Sequence, residues 1–108
     1  MNDVVLVFST APVAAGNDTA EQLARTLVDE RLAACVNVHA PMVSIYRWKG
    51  AVERDSERQL VIKTTRALVP LLEKRLRELH PYEVPELVVV ATSGGSDKYL
   101  EWVAQEVR

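Results

Sequence analysis

Hydrophobic and polar positions change their period several times along this chain, and each change marks an element. Val4-Val5-Leu6-Val7-Phe8 is a continuous apolar run, too short for a helix, and reads as a central strand buried on both faces. Thr10-Ala11-Pro12 end it, and Gly16-Asn17 continue the loop. Asp18 stands three residues before Glu21, the spacing of a capping box. Ala20, Leu23, Ala24, Leu27, Val28 and Leu32 follow at helical spacing and define one apolar face. Over residues 34–48 the period shortens to two: Val36 and Val38 alternate with Asn37 and His39, then Val43, Ile45 and Arg47 with Ser44, Tyr46 and Trp48. Pro41 has no amide hydrogen for a ladder, so it marks a bulge or bend in this long strand.

Lys49-Gly50 is the hairpin turn, with Gly50 able to take positive φ. The return strand spans residues 52–64. A second helix is predicted over 67–79, with Pro70 in its first turn and Leu68, Leu71, Leu72, Leu76 and Leu79 facing inward. It stops at His80, because a residue before proline resists the helical region. A last strand covers 87–91, Gly94-Gly95 break it, and Ser96 or Asp97 caps a terminal helix with Tyr99, Leu100, Val103 and Val107 inward.

The order strand, helix, strand, strand, helix, strand, then an extra helix predicts an α+β fold: a ferredoxin-like βαββαβ sandwich with a C-terminal helix, formed by residues 1–108 as a single domain. The central hairpin, residues 34–64, is longer than a four-stranded sheet of ordinary strands covers. Its protruding edges call for pairing with another subunit, and a closed ring is favoured because a contact that does not close makes fibres. A homo-oligomer is therefore expected.

Composition narrows the function classes. The net charge is -2, so there is no basic footprint and no nucleic-acid partner is expected. No apolar run approaches the roughly 20 residues of a membrane span, and no membrane partner is expected. Met1-Asn2-Asp3 lacks the basic start of a secretory signal, and the single cysteine excludes an internal disulfide. A cytoplasmic location is expected.

Several side chains carry candidate chemistry. Tyr46 and Trp48 face Glu57 and Lys63 across the hairpin, and Tyr82, Glu83 and Glu86 lie in a segment stiffened by Pro81 and Pro85. Together they are suited to line a ligand cleft, or a subunit interface, where tyrosine and tryptophan are also enriched. His80 is either a metal ligand or a polar helix terminus that complements the helix dipole. His39 reads as a solvated strand or loop position, Cys35 as a small hydrophobe in a strand, and Trp102 as interface or core. Two carboxylates and an imidazole suit a borderline ion such as zinc, whereas Lys63 with the aromatic groups suits a small anion. There is no P-loop, CxxC, HExxH or GxSxG motif.

The segments Leu32-Ala33-Ala34-Cys35-Val36-Asn37, Ser44-Ile45-Tyr46-Arg47-Trp48-Lys49-Gly50, Ile62-Lys63-Thr64-Thr65, His80-Pro81-Tyr82-Glu83-Val84-Pro85-Glu86 and Tyr99-Leu100-Glu101-Trp102, with Glu57, resemble the CutA divalent-cation tolerance proteins in order and spacing. The resemblance implies a cytoplasmic homotrimer, similar in plan to the PII signalling proteins, with strands pairing across subunits. It also implies a role in tolerance of copper and other divalent metals, and no established catalytic reaction. In some relatives the proposed copper ligands are a cysteine near the end of the first strand and adjacent histidines before the HPY proline. Here those positions hold Ser9, Leu79 and His80, so copper(I) binding weaker than in those relatives is expected. The resulting expectation is a binding protein with no catalytic residues and no obligatory cofactor, taking copper, zinc or a small anion between subunits. The alternatives are an acid–base enzyme using His80 with Glu83, Glu86 or Lys63, and a trimeric scaffold for a protein partner.

Overall fold

The computed structural model describes residues 2–16 and 18–108; Met1 and Asn17, the latter expected in a loop, lie outside the described residues. Strand β1 spans Val4–Pro12 and is the hub of the sheet, paired antiparallel on both edges. Helix α1, Thr19–Asp29, starts where Asp18 accepts a hydrogen bond from the Glu21 amide at 3.1 Å, as the capping pattern predicts. It buries Ala20, Leu23, Ala24 and Leu27, while Val28 at its margin is exposed.

The predicted long strand is two strands, β2 (Cys35–Val38) and β3 (Met42–Trp48), both paired antiparallel with β4 (Ala51–Thr65). Val38 stands opposite Leu60 and Met42 opposite Glu57, so residues 39–41 face only Arg58 and Gln59. One strand carries one extra residue there, which is the count of a β-bulge, and Pro41 sits in it. Arg58 Nε donates to the His39 carbonyl at 2.8 Å, and the His39 amide donates to the Gln59 carbonyl at 2.9 Å. The interruption therefore leaves His39 with its backbone groups satisfied. Lys49 and Gly50 close the hairpin with φ of 48° and 84°. Two successive positive φ values match the right-handed twist of the flanking strands.

A short 3₁₀ turn, Arg66–Leu68, precedes helix α2, Val69–Leu79, with Pro70 in its first turn. Leu68, Leu72 and Leu76 are buried, but Leu71 is exposed and Leu79 half-buried, so the inward stripe is narrower than the leucine count implies. Strand β5, Val88–Ala91, and helix α3, Asp97–Glu106, complete the chain, with Ser96 Oγ capping α3 through the Tyr99 amide. On α3, Val103 is buried, as is Val107 just past its end; Leu100 is half-buried and Tyr99 exposed.

The strand order is β2-β4-β1-β5, with β3 also on β4. Val5, Val7 and Ala11 of β1 join Leu60 and Ile62 of β4 under α1 and α2, where the core sits. The opposite face of the sheet carries Leu6, Phe8, Thr10, Glu57, Gln59, Val61 and Lys63. Leu6 and Phe8 are only half-buried, so β1 is not closed over on both faces as its apolar run predicts. The β3–β4 hairpin extends beyond the body, and the longest dimension is 43 Å against 27 and 24 Å for the others.

Candidate functional site

The bulge decides which side chains meet. Val36 and Val38 oppose Ile62 and Leu60 and share the helix-covered face. After the extra residue the parity inverts, so Met42 opposes Glu57, Ser44 opposes Asp55 and Tyr46 opposes Glu53. The even-numbered positions of β3 thus share the face of Glu57, away from the helices. A one-residue shift of register sends every side chain of a strand to the other face, and here it delivers Tyr46 and Trp48 to Glu57.

The second wall is the connection from α2 to β5. Helix α2 ends at His80, whose amide still donates to the Leu76 carbonyl at 2.9 Å. The His80 ring is buried and hydrogen-bonded at both nitrogens. Nε2 lies 2.7 Å from the Thr10 carbonyl, and Nδ1 accepts from the Tyr82 amide at 3.1 Å. A carbonyl only accepts and an amide only donates, so the ring carries its proton on Nε2, and Nδ1 has no lone pair left for a metal ion. His80 therefore fixes the loop against β1 and turns Tyr82 towards the sheet; the two rings lie 4.7 Å apart.

Between the hairpin and this loop is a groove of about 780 Å³. Tyr46, Trp48, Glu57, Tyr82, Glu83 and Glu86 all line it, with Met42, Gln59, Val84 and Pro85. Glu57 is 7% exposed and accepts a 2.8 Å hydrogen bond from the Tyr82 hydroxyl. Burial, followed by that bond to a carboxylate, pushes the Tyr82 phenol well above its ordinary range, so the proton stays on the phenol. The Tyr46 hydroxyl donates to Asp55, and this bond above all pushes its phenol up to about 12. Gln59 Nε2 bridges the Ser9 carbonyl at 2.7 Å and Glu86 Oε2 at 3.2 Å. Ser9 is itself fully buried, and its hydroxyl donates to the Glu86 carbonyl at 2.8 Å.

Lys63 does not join this group. It opposes Cys35 and Leu6 in the sheet, and its ammonium lies 5.9 Å from the centre of the Tyr99 ring and 3.9 Å from Cys35 Sγ. Six residues of strand separate it from Glu57, roughly 20 Å at the usual rise. Cys35 is half-buried on that side of the sheet rather than packed in the core. Exposed Trp102 leans on Tyr99 at 5.6 Å. Among the described residues no group of three His, Cys, Asp or Glu side chains is placed to hold a metal ion. The sequence reading missed Gln59 and Asp55. The signal for Gln59 was its position two residues from Glu57 on one strand, which puts both on one face. Asp55 was hidden because its partner Tyr46 is diagonal, not opposite.

A family model described as CutA1 divalent ion tolerance protein matches residues 5–106. The chain is 44% identical over 105 residues to the divalent-cation tolerance protein CutA of Thermus thermophilus, covering 97% of each. It is 46% identical over 102 residues to human protein CutA, of which it covers 55%, so it spans a little over half of that longer relative. Among solved structures, the divalent cation tolerance protein of Thermus thermophilus superposes with a TM-score of 0.91 at 41% identity, over 97% of this chain and 99% of that one. CutA from Xylella fastidiosa gives 0.90 at 45% identity, over 98% and 99%.

Proposed function

The chain belongs to the CutA1 divalent ion tolerance family, and from that premise we propose that it serves divalent-metal tolerance in the cytoplasm as a homotrimeric, ferredoxin-like binding protein whose ligand occupies the groove between hairpin and loop. The observation that carries this reading is what the isolated chain leaves uncovered. Val88 is 51% exposed on edge strand β5, and Ile45 and Val52 on the hairpin are 70% and 64% exposed. Bare apolar strand edges are templates for another chain, and pairing them between three copies removes the liability. The groove then lies where the protruding hairpin of one copy approaches its neighbours.

Binding is favoured over catalysis because His80 has both ring nitrogens committed and Lys63 lies outside the groove. Copper(I) is a poor match for this chain. The hydroxyl of Ser9 is spent on the Glu86 carbonyl, and the thiol of Cys35 is placed beside Lys63. Light scattering at dilute concentration tests the assembly: three times the chain mass is expected, and a monomer mass would remove the proposal.

A further inference from the structure

Resting on the reading of the groove as the ligand site, we propose that its occupant is a small organic cation, an alkylammonium compound, and neither an anion nor a bare metal ion. The first argument is charge. The groove lining carries three carboxylates, Glu57, Glu83 and Glu86, and among the described residues no lysine, arginine or histidine. Glu57 is more than nine-tenths buried, yet among the described residues its one side-chain hydrogen bond comes from a neutral phenol. The carboxylate of Glu86, at an exposed position, has among the described residues only the neutral Gln59 amide. A buried carboxylate without a cation is an expensive arrangement, and it is relieved when a cation binds. An anion entering the groove meets the charges of Glu57 and Glu86, while that of Glu83 is offset by Lys49 at the rim.

The second argument separates an organic cation from a metal ion. A divalent ion needs several oxygen or nitrogen donors converging at about 2.0–2.6 Å, and no such group of three is present among the described residues. The walls instead present the rings of Tyr46, Trp48 and Tyr82, whose faces attract a cation that keeps its hydrogens. Met42, Val84 and Pro85 add apolar surface suited to a carbon skeleton. A volume of about 780 Å³ matches a small molecule and is far larger than an ion requires.

The third argument is that the protein already holds an ammonium in this manner. Lys49 Nζ lies 5.5 Å from the centre of the Trp48 ring and 3.8 Å from Glu83 Oε2, at the rim of the groove. A π face with a carboxylate beside it is the pair that recognises a substituted ammonium. Deeper in, Glu57 lies at the hydroxyl of Tyr82, and among the described residues the groove lining offers no cation beside it.

Calorimetry with n-butylammonium and with butyrate tests the inference, because the two share a similar short carbon chain and differ in the sign of the head group. Binding of n-butylammonium but not butyrate is expected, with affinity falling roughly tenfold or more in Glu57→Gln, the effect of removing a charged partner. Trp48→Leu is expected to weaken it several-fold. Should Glu57→Gln fail to fold by circular dichroism, Glu86→Gln, at an exposed position, carries the same test. Butyrate binding as well as n-butylammonium, or zinc alone binding in a manner lost in Glu57→Gln, would overturn the organic-cation inference and leave the groove as the ligand site. If no probe binds while light scattering still gives a trimer, the inference and the ligand-site reading fall together and the assembly stands.

Discussion

Strand β4 passes through two environments without a break in its hydrogen bonding. Residues 57–65 pair with β1 along one edge, and from Gln59 to Thr65 their burial alternates with the side of the sheet they face. Residues 51–56 pair with β3 alone, and every one of them is exposed. The ladder is of the same kind in both halves, so backbone pairing does not distinguish them. What differs is the material on the faces: helices over one half and, among the described residues, the loop from α2 to β5 across the groove from the other. A hydrogen bond exchanged with water contributes only about 0.5–1.5 kcal/mol net, and an isolated two-stranded hairpin is marginal in water. The inner half is held by its core, whereas the outer half awaits a cover, which the proposed trimer supplies.

The largest effects should break that contrast. Ile62→Ala removes a fully buried side chain beneath the helices, and unfolding in urea is expected to show a loss of about 2–5 kcal/mol with the trimer mass retained in native buffer. Ile45→Asp, at a position the chain alone leaves 70% exposed, should do the reverse. It places a charge in the proposed inter-subunit contact and should shift the scattering mass to that of one chain. A trimer mass and an unchanged unfolding midpoint for Ile45→Asp would mean that the outer half stands without a cover.

Glu57 is the border between the halves, opposite Pro12 on one side and Met42 on the other. Tyr82→Phe removes the donor to its carboxylate and leaves a buried oxygen short of a partner. A loss of about 1–3 kcal/mol in urea unfolding is expected. A double-mutant cycle with Glu57→Gln should show that most of this loss is shared between the two residues. Additive losses would mean that water replaces the phenol and that the border is set by packing alone.

How much of this was legible in the sequence follows the same division. The helices and strands appear because burial on one face imposes a period, and Asp18, Pro70, Gly50 and Ser96 occupy the cap and turn positions their chemistry suits. Pro41 announced the interruption between β2 and β3, but not that the extra residue inverts the parity of β3. That inversion brings Tyr46 and Trp48 to Glu57, and it depends on counting residues across two strands. Lys63 was grouped with Glu57 by a shared face, in a cleft between subunits; within one chain the face is shared and the two stay apart along the strand, as their spacing of six residues implies. His80 looked chemically available because its sequence neighbours show neither Thr10 nor the Tyr82 amide turned towards its ring. Leu71 and Tyr99 have helical spacing but remain exposed, Tyr99 with Lys63 and Trp102 beside its ring, so periodicity alone counted them as core.

The smallest expected effect lies beside the border, on the helix-facing side of β4. Arg58 follows Glu57 and points the other way, with its guanidinium 3.2 and 3.0 Å from the Asp18 carboxylate oxygens and 2.8 Å from the His39 carbonyl. One side chain thus ties the bulge to the start of α1. The Asp18 carboxyl is held below its ordinary value of 3.8, first by the bond from the Glu21 amide and also by Arg58. Its folded value lies below its unfolded one, so the contribution is fully present above pH 3.8 and is lost as pH falls through the lower folded value. Asparagine caps a helix about as well as aspartate but carries no charge for Arg58. Asp18→Asn should therefore lower the thermal midpoint only slightly at pH 7. Its midpoint should fall less than that of the wild type between neutrality and pH 3 (about one unit below an ordinary aspartate). Glu30, held below its ordinary range by Arg75, keeps some acid sensitivity in both proteins, so the difference is in steepness. Superimposable acid limbs for the two proteins would mean that the charge on Asp18 is solvated equally in the folded and unfolded chains. Arg58 would then hold the bulge through the His39 carbonyl alone.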